Sequence, residues 1–194
     1  MNVLTPLRLL VPLLLTCGFL VAAQDSRPVR STPPAGESPV TVILIRHAEK
    51  ANAHTRDPEL TEAGVARAES LAALLKAAEV SHLFSTEYKR TRDTLAPLAA
   101  QNELEVQVVS ASEPFKLVQS LRELPPGSTA VVSGHSNTTP ALASALGLDL
   151  PNLKETDRGP MLRENEYDRL FLLTLPPNGA KGVQGKVVEL RYGP

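Results

Sequence analysis

Cysteine is nearly missing from this chain: Cys17 is the only one, and it lies in an N-terminal stretch that reads as a removable leader. Once that leader is lost, disulfides, thiolate catalysis and cysteine-ligated zinc are all excluded. A basic run is missing too. The formal net charge is −1, and loss of Arg8 with the leader makes it one unit more negative. Such a balance gives no support for nucleic acid or anionic lipid as a partner. There is no internal repeat and no His-Glu-x-x-His or comparable close-spaced ligand set.

The leader itself runs from Met1 to Ala23. One positive charge, Arg8, precedes an apolar segment from Leu9 to Ala23 broken only by Pro12, Thr16 and Gly18. It ends in Val21-Ala22-Ala23 before Gln24, with small residues where a signal peptidase needs them. The expectation is a signal peptide cleaved after Ala23 and an exported protein, periplasmic or secreted, with no membrane contact after removal. An uncleaved anchor fits less well because the segment is short for a span. A lipoprotein signal fits less well because Thr16 precedes Cys17 and the apolar run continues through Gly18-Phe19-Leu20-Val21. Residues 24–39 hold four prolines with Ser, Thr and Gly, the composition of a flexible tether. The remainder, 40–194, has the size of one ordinary domain.

That domain opens on Val40-Thr41-Val42-Ile43-Leu44-Ile45, an apolar and β-branched run without helical period, which predicts a strand buried on both faces. Leu60-Thr61-Glu62 starts a helix, with Thr61 as N-cap, Leu60 packing on Val65, and an apolar face of Ala68, Leu71, Leu74, Leu75 and Ala78. Strand and helix then alternate: Val80 to Ser85, Tyr88 to about Ala100, Val106 to Val109, Pro114 to Leu124, Thr129 to Ser133, and Asn137 to Leu146. Pro125-Pro126-Gly127 is a turn, and Pro140 is tolerated in the first turn of its helix. Leu170 to Leu175 and Lys186 to Tyr192, joined by the turn-rich Pro176 to Gly185, break the rhythm. The pattern predicts an α/β three-layer sandwich: a mostly parallel central sheet, helices on both faces, and an antiparallel edge.

Two of these strands end alike, in Arg46-His47 and in Gly134-His135, and a third ends at Ser85 with Arg90 one turn further. Parallel strands place their carboxyl ends at one edge, so two histidines and two arginines converge there. A neutral imidazole is a nitrogen nucleophile near pH 7, and guanidinium groups are planar forks for phosphoryl oxygens. Ser85, the backbone after Gly134 and the helix N-terminus at Asn137 add candidate donors to the same anion. Together they describe a pocket for phosphoryl transfer.

The same residues resemble the histidine phosphatases, the phosphoglycerate mutase-like superfamily, over nearly the whole domain. Arg46-His47-Ala48-Glu49 is similar to the Arg-His-Gly signature with Ala for Gly, and Leu60-Thr61-Glu62-Ala63-Gly64 to the leucine-threonine-x-x-glycine helix start. Ser85 to Thr94 resembles the segment whose first arginine binds phosphate, and Gly134-His135-Ser136-Asn137 the second histidine motif. Each motif is weak alone; in this order and spacing they are specific together. The resemblance implies that His47 is the phosphorylated nucleophile, that Arg46, Arg90 and His135 bind the transferring group, and that no metal or cofactor is used.

The general acid does not carry over, since the position after the second histidine is Ser136. Glu113, in the loop after the third strand, ranks first, with Glu49 and Glu87 as alternatives; each glutamate also reads as an ordinary solvated side chain. A zinc site from His54 and His82 with His47 and His135 is disfavoured, because His82 lies within a strand and the ligand spacing is missing. The reading is an exported phosphatase acting on phosphomonoesters through a phosphohistidine. Its alternative is a phospho-ligand-binding pseudoenzyme of the same fold that lacks the acid. The substrate class is a phosphorylated small molecule or glycolipid, with Pro151 to Asp168 as the rim that selects it.

Overall fold

The computed structural model describes residues 38–51, 55–176 and 184–193. The stretch read above as a leader, nearly all of the stretch read as a tether, Asn52, His54 and most of the last turn lie outside the described residues. Among the described residues, six strands and four helices follow in the order β1 (Val40–Arg46), α1 (Glu62–Leu74), β2 (His82–Ser85), α2 (Lys89–Asn102), β3 (Val106–Val108), α3 (Pro114–Arg122), β4 (Thr129–Gly134), α4 (Thr138–Ala145), β5 (Arg169–Leu175) and β6 (Lys186–Arg191). They form one mixed sheet with strand order β3-β2-β4-β1-β5-β6. The pairs β2·β3, β2·β4 and β1·β4 are parallel, whereas β1·β5 and β5·β6 are antiparallel.

Side-chain alternation along β1 feeds two separate cores. Val40, Val42 and Leu44 join Val118 and Leu121 of α3 and Leu142 and Ala143 of α4 on one face. Ile43 and Ile45 join Leu71 and Ala72 of α1 and Leu95 and Leu98 of α2 on the other. Helices therefore cover both faces, and β1, the continuous apolar run, sits between β4 and β5. Its carboxyl end is level with that of β4, with Ile45 opposite Ser133 and Arg46 opposite Gly134.

α1 begins as its motif predicts. Thr61 caps the helix by accepting from the Gly64 N–H at 3.1 Å. Gly64 is required because a Cβ there would run into the backbone carbonyl of Glu49, which itself accepts from Thr61 N–H at 2.9 Å. The buried face is Gly64, Ala68, Leu71 and Ala72, continued by Leu75, while Leu74 is 52% exposed and not part of the core. The buried positions recur at four, three and one residue steps, and Leu74 falls to one side of that stripe.

Candidate active site

The loop ends of β1, β2 and β4 bring Arg46, His47, Arg90 and His135 together. The His47 and His135 rings lie edge to face with centroids 5.5 Å apart. His47 is only 3% exposed. Its Nδ1 is 2.7 Å from the carbonyl oxygen of Ala48. A carbonyl only accepts, so Nδ1 carries the proton and Nε2 keeps the lone pair. Burial first, and then the Arg46 and Arg90 cations and His135, push the His47 pKa down to about 3, against the pull of the Ala48 bond. Burial and the same two arginines push His135 down to about 4, with Glu87 opposing. Both rings are neutral at physiological pH. Ala48, where the signature has Gly, is fully buried and has no positive φ, so its methyl group is accommodated without backbone strain.

Each arginine is held from behind and keeps one nitrogen unengaged. Arg46 Nη1 donates to the carbonyls of Arg163 at 2.9 Å and Glu164 at 2.8 Å, and its guanidinium lies 4.2 Å over the Tyr167 ring. Burial lowers the Arg46 pKa, while Tyr167 and the carboxylates of Glu164, Glu166 and Glu49 act the other way. Arg90 Nη1 faces Asp57 at 3.7 Å, and its guanidinium stacks on Tyr88 at 4.3 Å. In both arginines Nε is buried and has no hydrogen-bond partner. A buried unpaired donor costs about 1–3 kcal/mol. The two guanidiniums, close enough to act on both imidazoles, make the site a cationic cradle.

Hydroxyl groups fix this constellation. Thr94 accepts from the Ala48 N–H at 2.9 Å and donates to the Arg90 carbonyl at 2.7 Å, tying the His47 loop to α2. Thr86 Oγ1 contacts His135 Nε2 at 2.9 Å. Arg169, 1% exposed, anchors the rim through Glu166, Glu189 and the carbonyls of Pro151 and Asn152. That rim carries the carbonyls that grip Arg46.

Other expected donors are placed differently. The hydroxyl of Ser85 donates to the Thr86 carbonyl at 3.0 Å, and the backbone N–H of His135 donates to Thr138 Oγ1 at 2.8 Å, so both are committed within the protein. Asn137 is exposed at the start of α4 and makes no side-chain capping bond. Glu113 precedes α3, is 54% exposed, and has Lys116 at 3.9 Å as its charged partner. Glu49 is held by Arg67, and Glu87 accepts from the Ala111 N–H at 2.8 Å while facing His135 and Arg90. Among the described residues, no three His, Cys, Asp or Glu side chains group as a metal site. His82 stacks on Phe84 and contacts Ser81 Oγ at 2.9 Å, and His54 lies outside the described residues. Tyr88 and Tyr167 were not anticipated; their signal was scarcity, since the chain has three tyrosines and two of them meet here.

Residues 42–111 match the model of the histidine phosphatase superfamily (branch 1). The fold is shared with the protein histidine phosphatase SixA complexed with tungstate, with a TM-score of 0.58 and 19% identity over 78% of this chain and 96% of that one. It is also shared with a mycobacterial glucosyl-3-phosphoglycerate phosphatase in complex with inorganic phosphate, with a TM-score of 0.51 and 15% identity over 76% of this chain and 95% of that one. A third is mycobacterial hydrolase 2, with a TM-score of 0.54 and 16% identity over 76% and 88%. No curated protein sequence matches. Over residues 42–111 the chain is thus similar to the histidine phosphatase superfamily, and its fold is the one these solved phosphatases share.

Proposed function

We propose that this protein is a phosphatase that hydrolyses phosphomonoesters through a phosphohistidine on His47. The observation that carries the reading is the convergence of the Arg46 and Arg90 guanidiniums on a neutral imidazole with its Nε2 lone pair free. A tetrahedral phosphoryl group offers its oxygens to the guanidiniums and its phosphorus to Nε2. The two fixed cations, with His135, stabilise the charge spread over the equatorial oxygens, the electrostatic work that metals do in other phosphatases. Phosphorylated ligands fit this cradle, and structural relatives named as a glucosyl-3-phosphoglycerate phosphatase and as a protein histidine phosphatase are consistent with that class. Export rests on the sequence from Arg8 to Ala23, and cleavage after Ala23 would be read from the mature N-terminus.

The test is acid-quench labelling with a phosphate-labelled substrate. Wild type is expected to carry an acid-labile, base-stable phosphoryl group that is lost in His47→Ala together with turnover. A His47→Ala variant with wild-type turnover would overturn the assignment. Wild type that binds phosphate but neither turns over nor labels with nitrophenyl phosphate would be the pseudoenzyme instead.

A further inference from the structure

A phosphatase needs a proton for its leaving group, and none of the three glutamates near the site in sequence is positioned to hold one. Glu49 is an ion pair with Arg67, and Glu113 points to solvent beside Lys116. The Ala111 N–H, opposed only by modest burial, holds the Glu87 carboxyl below its ordinary range. The hydrogen-bond directions around His135 point elsewhere. Thr91 has one hydroxyl hydrogen, and its shortest acceptor is the Tyr88 carbonyl at 2.7 Å. The 2.8 Å contact between the Thr91 and Thr86 hydroxyls is then donated by Thr86, which spends its single hydrogen. Thr86 Oγ1 can therefore only accept from His135, so Nε2 carries the proton. The other end of the ring agrees: Nδ1 lies 3.5 Å from Arg90 Nη2, a group that only donates. In the neutral ring, Nδ1 is an unprotonated base facing the phosphoryl cradle.

We propose that His135 is the acid and base of the reaction, receiving at Nδ1 the proton of a substrate bound as its phosphate monoanion and passing it to the leaving oxygen. The role rests on the phosphatase reading. The steps balance. The proton of R–O–PO3H⁻ moves to Nδ1, making an imidazolium whose Nε2–H stays on Thr86. His47 Nε2 attacks phosphorus, the P–O bond breaks with its electron pair on the alcohol oxygen, and the Nδ1 proton joins that oxygen to give ROH. Neutral His135 then takes a proton from the attacking water as the P–N bond breaks with its electrons returning to His47. That proton returns to the released phosphate, which leaves as H2PO4⁻. The groups facing the ring are Arg46 at the end of β1 and His47 just after it, Glu87 and Tyr88 from the β2–α2 connection, and Arg90 in the first turn of α2. With the cradle empty, burial and the two cations keep Nδ1 unprotonated, and a bound phosphoryl group neutralises the cations.

Nitrogen-15 NMR of histidine-labelled full chain, with His135 assigned by His135→Gln, reads the ring directly. The expected result is protonated Nε2 and bare Nδ1 without ligand at pH 6–8, and both nitrogens protonated with inorganic phosphate bound at pH 6. A ring that stays neutral with phosphate bound, or that carries its proton on Nδ1 without ligand, overturns the proposal. In turnover, His135→Gln is expected to slow glycerol phosphate about a hundredfold more than nitrophenyl phosphate, whose leaving group hardly needs a proton. Wild-type kcat/KM for glycerol phosphate should fall above the second ionisation of the ester, near pH ~6. Equal slowing of the two substrates sinks the role of His135 alone, provided nitrophenyl phosphate still labels the wild type. Failure of that label sinks the phosphatase reading itself.

Discussion

Arg67 grips Glu49 with three hydrogen bonds, two from Nε at 3.0 Å and one from Nη2 at 2.7 Å. The pair joins the loop after His47 to α1, and Arg67 Nη1 also donates to the Tyr192 carbonyl at 2.7 Å, drawing in the end of β6. Burial alone would raise the Glu49 pKa, but the Arg67 bonds outweigh it and hold the carboxyl below its ordinary range. A depressed folded pKa contributes stability that is present above the unfolded value and lost as pH falls through the folded one.

The first prediction is that this glutamate is structural. Glu49→Gln and Arg67→Ala should each lower the unfolding free energy by about 1.5–3 kcal/mol, the range for hydrogen bonds to charged groups, measured in urea at pH 7.5. The cost of Glu49→Gln should shrink at pH 4. The rate ratio between glycerol phosphate and nitrophenyl phosphate should stay at its wild-type value. A changed ratio would return Glu49 to the list of proton donors.

The second prediction concerns Thr94, a positioning residue that touches no substrate. Its hydroxyl joins the Ala48 N–H to the Arg90 carbonyl, so it sets nucleophile and arginine against each other. Thr94→Val keeps the shape and removes both bonds, leaving a buried N–H unpaired. We expect about 1–3 kcal/mol of lost stability and a kcat drop of about tenfold or more, through misalignment of the attacking nitrogen. Thr94→Ser should restore both. A stability loss with unchanged kcat would make the residue purely structural.

The fold was legible because its signals are periodic. The apolar run of β1, the caps and glycines of α1, and the strand and helix alternation each state their own geometry. The histidines and arginines were legible because they sit at strand ends, where topology alone brings them together. Thr86 and Thr94 were not, because a threonine near a helix start looks the same whether it faces water or ties two loops. Tyr167 was hidden for another reason: it arrives on the aperiodic rim between Pro151 and Asp168, held by Arg169, and nothing in that stretch encodes where it folds. Glu113 is suggested only by its place in the chain, and the turn into α3 sends its carboxylate toward Lys116.

The third prediction follows from the two neutral imidazoles. His47 and His135 have folded pKa values of about 3 and about 4, against 6.5 for an ordinary histidine. Between those values the unfolded chain binds protons that the folded chain does not, so stability rises with pH across that window. Acidifying from pH 6.5 toward 4.5 should lower the unfolding free energy by up to about 1.4 kcal/mol per pH unit for each ring. His47→Asn should flatten part of that slope. Unfolding midpoints in urea that stay constant from pH 7 to pH 5 would show that the rings are already charged in the folded state.

The fourth prediction tests how Arg46 is kept ready. Its guanidinium lies over Tyr167 at 4.2 Å while Nη1 is spent on two rim carbonyls, so the ring and the rim together fix the guanidinium beside His47. A desolvated cation–π contact contributes roughly 0.5–2 kcal/mol. Tyr167→Ala should therefore weaken competitive inhibition by inorganic phosphate by about two- to thirtyfold, because Arg46 must then be ordered by the ligand. Tyr167→Phe keeps the ring face and should bind phosphate nearly as wild type does. The contrast separates stacking from any hydrogen bond of the phenol: an equal loss in both variants would assign the effect to the hydroxyl group, and no loss in either would leave the rim carbonyls alone in charge of Arg46.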